Sequence, residues 1–108
     1  INSFEVQHGL IKATAYVVDK IAYLSDCSHI PNNSKKHLKN LKFLIIDCLK
    51  YSAHPGHFNF ETAVSISKEL KPKKTILTNL HVELDYNELQ KKLPSNIVPA
   101  FDGINFNF

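Results

Sequence analysis

A short, uninterrupted apolar run places the tightest constraint on the fold. Residues 43–46 read Phe-Leu-Ile-Ile, polar residues bound them on both sides, and Asp47 follows directly. A run of this length predicts a strand that is covered on both faces, as strands in parallel sheets are. Residues 75–78 form a second short buried strand, and a helical pattern lies between the two. The sequence therefore predicts an α/β structure built from layers of sheet and helix.

The intervening helix has recognisable ends and one apolar stripe. Asn59 is a suitable N-cap, and Glu61 is favourable in the first turn. Lys71 and Pro72 end the pattern. The residues that share one helical face are Ala63, Ile66, Ser67 and Leu70.

The first forty residues predict three strands and a short helix. Phe4, Val6 and His8 alternate with polar residues, which indicates a half-buried strand. Residues 14–18 and 21–24 are β-branched or aromatic runs, and the two residues between them suit a hairpin turn. Ser34 is expected to cap a lysine-rich helix that extends to about Asn40.

The C-terminal third predicts one more helix and one more hairpin. Asp85 and Glu88 have the spacing of a capping box, and Pro94 closes the helical pattern that follows. Asp102-Gly103 is a strong hairpin signal between residues 97–101 and 104–108.

Length, charge and cysteine content exclude several classes of protein. The 108 residues are expected to form a single partial domain, 1–108, and no apolar run reaches the roughly 18 to 20 residues that span a bilayer. All 13 cations are lysine, and the absence of arginine disfavours a dedicated nucleic-acid module. The lysine clusters are interpreted as solvated surface. Cys27 and Cys48 cannot form a secreted disulfide framework, so we expect buried thiols and a cytoplasmic protein, although zinc-thiolate coordination stays open.

Polar side chains that can bind metals or move protons follow several of the predicted strands. They are His8, Asp26, His54 with His57, and Asn79 with His81. Each is a weak signal alone, because a histidine at the end of a strand is commonly a surface residue. Ligands at successive strand ends can nevertheless converge at one end of a sheet, where open α/β sheets place their sites.

Taken in order, these segments resemble the C-terminal half of the metallo-β-lactamase superfamily, and most closely the branch that contains the phosphonate-pathway cyclic phosphodiesterase. The matching segments are Val-Gln-His-Gly at 6–9, Ile-Ala-Tyr-Leu-Ser-Asp at 21–26, Leu-Ile-Ile-Asp at 44–47, His-Pro-Gly-His at 54–57, Ile-Leu-Thr-Asn-Leu-His at 76–81 and Val-Pro-Ala-Phe-Asp-Gly at 98–103. The resemblance implies half of an αββα sandwich, a mixed sheet with helices on one face. It also implies a hydrolase with two divalent metal ions, zinc or manganese, acting on a small phosphodiester.

By position in the resemblance, His8 is a ligand to one metal and Asp26 bridges both. A carboxylate can span cations about 3.5 to 4 Å apart, and imidazole suits zinc. The superfamily commonly has Leu-Thr-His where this chain has Asn79. His81 lies two residues on, and residues i and i+2 of an extended segment share a face, so we predict that His81 replaces the usual ligand. The alternative is that Asn79 coordinates weakly or only orients substrate.

His57 matches a loop histidine that assists the leaving group or binds phosphate, and its alternative is a histidine exposed to water. Asp47 and His54 are expected to support the metal ligands from outside the coordination sphere, although Asp47 could equally cap a turn. His29 and His37 are expected to face solvent.

The superfamily motif His-x-His-x-Asp-His is absent from these residues. The chain alone is therefore expected to be metal-poor and inactive, with an exposed sheet face through which two copies could dimerise. The rival hypothesis is a non-catalytic interaction module or an RNA-binding relative with the same fold.

Overall fold

A computed structural model describes residues 2–24, 27–48, 59–78 and 91–100, and the structural statements below concern these residues. A six-stranded sheet in the order β1-β2-β3-β4-β5-β6 forms the centre of the molecule. Its elements are β1 (Asn2–His8), β2 (Ile11–Val18), β3 (Ile21–Leu24), β4 (Phe43–Asp47), helix α1 (Phe60–Leu70), β5 (Lys74–Thr78) and β6 (Ile97–Pro99). The mixed α/β sheet that the sequence predicts is confirmed.

The sheet is antiparallel at one side and parallel at the other. β2 is antiparallel to both β1 and β3, while β3, β4, β5 and β6 are parallel to one another. Five strands therefore run in the same direction, and only β2 among the six runs against them. We call the end at which these five strands finish the carboxyl end, and the opposite end the amino end.

Helix α1 begins and ends as its sequence predicts. The side chain of Asn59 accepts a hydrogen bond from the backbone N–H of Thr62 at 2.9 Å, which satisfies a donor that the first helical turn leaves unpaired. Lys71 adopts a left-handed conformation, φ 51° and ψ 50°, and its N–H bonds the carbonyl of Ser67. Ala63 and Ser67 are buried, and Ile66 and Leu70 pack against the core. The predicted stripe is therefore the face that contacts the sheet.

The segment between β3 and β4 supplies the rest of the cover over the same core. Ile30, Leu38 and Leu41 are buried in one cluster with Phe4, Leu24 and other residues of the sheet. The serine hydroxyl at position 34 donates to the backbone carbonyl of Glu5 at 2.8 Å, across the free side of β1. A covered edge of this kind cannot pair with another chain.

The prediction of a capped helix from Ser34 to Asn40 is wrong. Lys35–His37 is a single 3-10 turn, and Ser34 makes no side-chain capping bond. Its hydroxyl donates instead to the Glu5 carbonyl on β1, a long-range contact that the local sequence does not reveal. The expectation that His37 faces solvent is also wrong, because its ring stacks on Phe4 with centroids 5.0 Å apart.

The hairpin between β2 and β3 is confirmed. Asp19 and Lys20 both have positive φ, 48° and 68°, which is the backbone of a type I′ turn. β2 begins three residues earlier than predicted, at Ile11, because Gly9 with φ 64° allows a tight turn directly after β1. The predicted helix that starts near Asp85 and the hairpin at Asp102 lie outside the described residues, apart from helical conformation at residues 91–92 and strand β6. No described helix has the length and apolar content needed to cross a bilayer.

Candidate functional site

Five strands finish at the carboxyl end of the sheet. β1 finishes at His8, β3 at Leu24, β4 at Asp47, β5 at Thr78 and β6 at Pro99. In the register of the sheet, Asp47 is directly opposite Thr78, and the N–H of Cys48 continues the pairing by donating to the carbonyl of Thr78 at 2.9 Å. Of the predicted polar residues, His8 and the backbone of Asp47 lie at this end, where open α/β sheets place their sites.

His8 is the predicted metal ligand whose side chain the structure describes. It lies on the same face of β1 as the buried residues Phe4 and Val6, since alternate residues of a strand share a face. Its own side chain is half-buried, and its partner across the hairpin is the exposed Ile11. His8 therefore stands where the core ends and solvent begins, which is a suitable position for a side chain that must reach a ligand.

A segment that follows position 26 is fixed beside His8. The N–H of Gln7 donates to the carbonyl of His29 at 2.9 Å, and the N–H of Ser28 donates to the carbonyl of Gln7 at 2.7 Å. The Ser28 hydroxyl accepts from the N–H of Gly9 at 3.0 Å and bonds the carbonyl of Gln7 at 3.3 Å. These bonds hold the backbone on both sides of His8.

Ser28 bonds the backbone on both sides of His8, and the sequence did not predict this role. A serine in a loop carries no periodic or motif signal, and its partners Gln7 and Gly9 are about twenty residues away. Only the crossing of the loop from β3 to the outer side of β1 brings them together. His29 contributes its backbone to this contact, and its side chain is exposed as expected.

The other predicted site residues lie wholly or partly outside the described residues. Asp26, His54, His57, Asn79 and His81 lie outside the described residues, as does the side chain of Asp47. Asp47 is the last residue of β4, and its backbone lies at the carboxyl end of the sheet, as His8 does. Within the described ranges, no group of three or more histidine, cysteine, aspartate or glutamate side chains is close enough to hold a metal ion.

The cysteines that follow β3 and β4 are buried and form no disulfide. Cys27 and Cys48 are fully covered, and the thiol of Cys27 donates to the carbonyl of His29 at 3.5 Å. Their expected state as buried thiols is confirmed. A buried thiol of this kind behaves as a small apolar side chain, and here Cys27 belongs to the core beneath the segment that holds His8.

The family of the chain is decided by its first 79 residues, which match the beta-lactamase superfamily domain. The chain belongs to this superfamily. The matched part includes β1 to β5, and so covers His8, Asp26, Asp47 and Asn79. The resemblance drawn from the strand-end residues is thereby confirmed at the level of the superfamily.

Known structures with the superfamily fold superimpose on this chain. A structure described as a new diphosphatase from the PhnP family is 35% identical, with a TM-score of 0.95 over 98% of this chain. Human tRNase Z, short form, is 21% identical with a TM-score of 0.71 over 94% of the chain. The metallo-beta-lactamase fold protein YhfI from Bacillus subtilis is 23% identical with a TM-score of 0.74, also over 94%. The last two comparisons show the shared fold.

Each of these superfamily proteins is longer than this chain. The chain spans 42% of the PhnP-family diphosphatase, 40% of human tRNase Z and 46% of YhfI. A protein from Porphyromonas gingivalis (strain ATCC BAA-308 / W83) described as an octanoyltransferase is 26% identical over 107 residues, which are 96% of this chain and 22% of that protein. Because the match covers about a fifth of it, its named activity carries no weight for this superfamily domain.

Proposed function

We propose that this chain supplies the C-terminal part of the active site of a metal-dependent hydrolase that cleaves a small phosphodiester or diphosphate. The observation that carries the proposal is the position of His8, half-buried at the end where five strands finish. The similarity to a PhnP-family diphosphatase over 98% of the chain supports the substrate class.

The donor set suits divalent metal ions, which are used generally in this superfamily. Imidazole suits zinc, carboxylate oxygens suit manganese, and a carboxylate can bridge two cations. We propose His8 as a ligand to one metal and Asp26 as the bridging ligand. Asp26 lies in the sequence between Leu24, which ends β3, and the segment that is bonded to β1 on both sides of His8, and this order favours a shared site.

The final ligand from this chain is proposed to be His81. It follows β5, which ends at Thr78 and lies beside β4 in the parallel part of the sheet. Asn79 is the alternative, as a weak ligand or as a group that orients substrate. A neutral amide oxygen is a poorer zinc ligand than imidazole, which favours His81.

The other proposed residues act on substrate and on the ligands. When bound, the metal pair would supply a nucleophile by lowering the pKa of a coordinated water to about 7. His57 donates a proton to the leaving oxygen or a hydrogen bond to phosphate. It lies two residues before the N-cap of α1, where the helix dipole favours an anion. Asp47 and His54 are proposed to orient ligands through hydrogen bonds.

Three ligands cannot hold two metals in catalytic geometry, so we propose that His-x-His-x-Asp-His comes from the portion of the superfamily domain that this chain does not span. By the same reasoning, the 108-residue chain alone is proposed to be metal-poor and inactive. The parent protein is proposed to be cytoplasmic.

The choice between His81 and Asn79 can be tested directly. In a protein that joins this chain to the rest of the superfamily domain, His81→Ala and Asn79→Ala are compared by metal content and by hydrolysis of bis(p-nitrophenyl) phosphate. We expect the His81 variant to lose bound metal and activity, and the Asn79 variant to keep its metal. Full metal retention in the His81 variant contradicts the assignment, and retention with full activity in both variants contradicts a role for this segment in the site.

A further inference from the structure

The amino end of the sheet, opposite the proposed active site, carries a dense group of lysines. Lys20, Lys42 and Lys73 each immediately precede one of the parallel strands β3, β4 and β5, and Lys74 opens β5. Backbone hydrogen bonds join these positions laterally: the N–H of Lys42 donates to the carbonyl of Lys20 at 2.8 Å, and the N–H of Lys74 donates to that of Lys42 at 3.0 Å. Neighbouring strands lie about 4.8 Å apart, so these lysines are attached along one closely spaced row of backbone positions.

A cleft extends this row. It encloses about 440 Å³ between the 3-10 turn and the C-terminal end of α1. Its lining combines lysines with one acid, Glu69, whose carboxylate is 3.1 Å from the ammonium of Lys35. The lining residues are Lys35, Leu38, Lys39, Asn40, Glu69, Leu70 and Lys71.

The row and the cleft are one surface, because two short connections lead from one to the other. Residues 39–42 run from the cleft to β4, residues 71–74 run from the cleft to β5, and the N–H of Lys73 donates to the carbonyl of Leu41 at 3.2 Å. We call this surface the lysine rim. Its members, seven of the 13 lysines in the chain, are Lys20, Lys35, Lys39, Lys42, Lys71, Lys73 and Lys74. The sequence shows them as separate clusters, and the fold joins them.

We propose that the lysine rim binds the phosphate backbone of a nucleic acid, without the base recognition that arginine would supply. This proposal replaces the interpretation of the separate lysine clusters as solvated surface. Lysine acts as a point charge toward phosphate, whereas protein interfaces are depleted of lysine and enriched in aromatic residues and arginine. Amphipathic surfaces that bind membranes carry large apolar side chains beside their cations. The large hydrophobic side chains that are exposed in the described residues are Leu10, Ile11, Tyr16, Val18 and Tyr23. Val18 adjoins the rim, Tyr16 and Tyr23 pair with each other on the face of the sheet rather than at its end, and Leu10 and Ile11 lie at the opposite end. The chemistry therefore favours a phosphodiester chain over an acidic protein or a lipid surface.

The proposal is independent of the hydrolase assignment, because the rim lies at the end of the sheet opposite His8. The test measures binding of the purified chain to a fluorescein-labelled, mixed-sequence single-stranded RNA by fluorescence anisotropy over a range of salt concentrations. We expect binding at low salt that weakens as salt rises, since displaced counterions dominate such affinities.

The variant for this test replaces Lys20, Lys42 and Lys73 by glutamine together. Each lost phosphate contact lowers the slope of log K against log salt by about 0.7 for a single strand, so the triple variant is expected to lose about two units of slope. The control is Lys12→Gln. Lys12 lies on β2, away from the rim, and its ammonium is 3.4 Å from the carboxylate of Glu5. This variant should bind RNA as the wild type does. Replacement of the same three lysines by arginine should preserve binding, and unchanged thermal melting shows that the triple variant is folded.

Three results overturn the proposal. One is no RNA binding at low salt. Another is a loss of about 0.7 units of slope in the Lys12 control, about a third of the loss in the triple variant, which means that net charge alone is responsible. The third is preferential binding to phosphatidylserine vesicles or to polyglutamate that RNA does not displace, which assigns the rim to a lipid surface or to an acidic protein.

Discussion

At the scale of single residues, one buried polar pair shows how much local sequence conceals. The hydroxyls of Ser67 on α1 and Thr75 on β5 are 2.6 Å apart, and both residues are almost completely covered. The helical stripe correctly placed Ser67 on the core face. The identity of its partner depends on how α1 lies over the sheet, which the stripe does not specify.

We predict that Ser67→Ala lowers the free energy of unfolding by about 1 to 3 kcal/mol, because it leaves the Thr75 hydroxyl buried without this partner. Urea denaturation followed by circular dichroism measures the change. The double variant Ser67→Ala/Thr75→Val removes both polar groups and should recover most of the loss. If the double variant is as unstable as the sum of the two single variants, the hydroxyls are not coupled.

The same scale explains what could be predicted of the site. His8 was identifiable because it ends an alternating strand and because its segment resembles a superfamily motif. Ser28, which holds the backbone around His8, was not identifiable, because its contacts cross the fold. Residue type and local pattern therefore indicate the candidate ligand, and only the topology indicates the group that positions it.

At the scale of elements, helix ends and strand periods were predictable where the cause is local. The Asn59 cap and the Asp19-Lys20 turn depend on neighbouring residues, and both are present. The supposed helix after Ser34 failed because β1 uses the serine hydroxyl and Phe4 stacks on His37. Tertiary contacts thus outweighed the helix propensity of this lysine-rich segment.

The C-terminal end of α1 offers a prediction at this scale. Lys71 has a left-handed backbone, which glycine adopts without a steric penalty, so Lys71→Gly should stabilise the fold by about 0.5 to 1 kcal/mol. The midpoint of urea unfolding should rise. Lys73→Gly is the control, since residue 73 does not have positive φ, and it should give no gain. A lower midpoint for Lys71→Gly contradicts the account of this helix end.

At the scale of the whole molecule, the two faces of the sheet differ. One face is covered by α1 and by the segment between β3 and β4. On the other face, cross-strand pairing aligns Tyr16, Tyr23 and Ile45, and both tyrosines are nearly half exposed, at 47% and 45%. An apolar row of this kind is typical of a surface that packs against a second layer.

We predict that the isolated chain self-associates through this face. Size-exclusion chromatography with light scattering should show a dimer whose dissociation constant rises at least tenfold in Tyr16→Lys/Tyr23→Lys. The control Ser65→Lys, at an exposed position of α1 on the other side of the sheet, should leave the dimer unchanged. A wild-type chain that is monomeric at high protein concentration contradicts this prediction.

The proposed function depends on the carboxyl end of the sheet, which is also a property of the whole molecule. Strand order and direction bring His8 and the end of β4 to the same end, where parallel sheets place ligands. The superfamily was predictable from the ordered strand-end residues taken together. The lysine rim was not, because its members are spread from residue 20 to residue 74 and meet only in the folded sheet.

The most direct test of the account is the metal content of His8→Ala in a protein that joins this chain to the rest of its superfamily domain. His29→Ala is the matched control, because His29 is exposed and takes part in the adjacent contact only through its backbone. Inductively coupled plasma mass spectrometry after dialysis against trace metal should show that His8→Ala loses bound zinc or manganese while His29→Ala retains the wild-type amount. Wild-type metal content in His8→Ala would contradict the assignment of the carboxyl end as a metal centre.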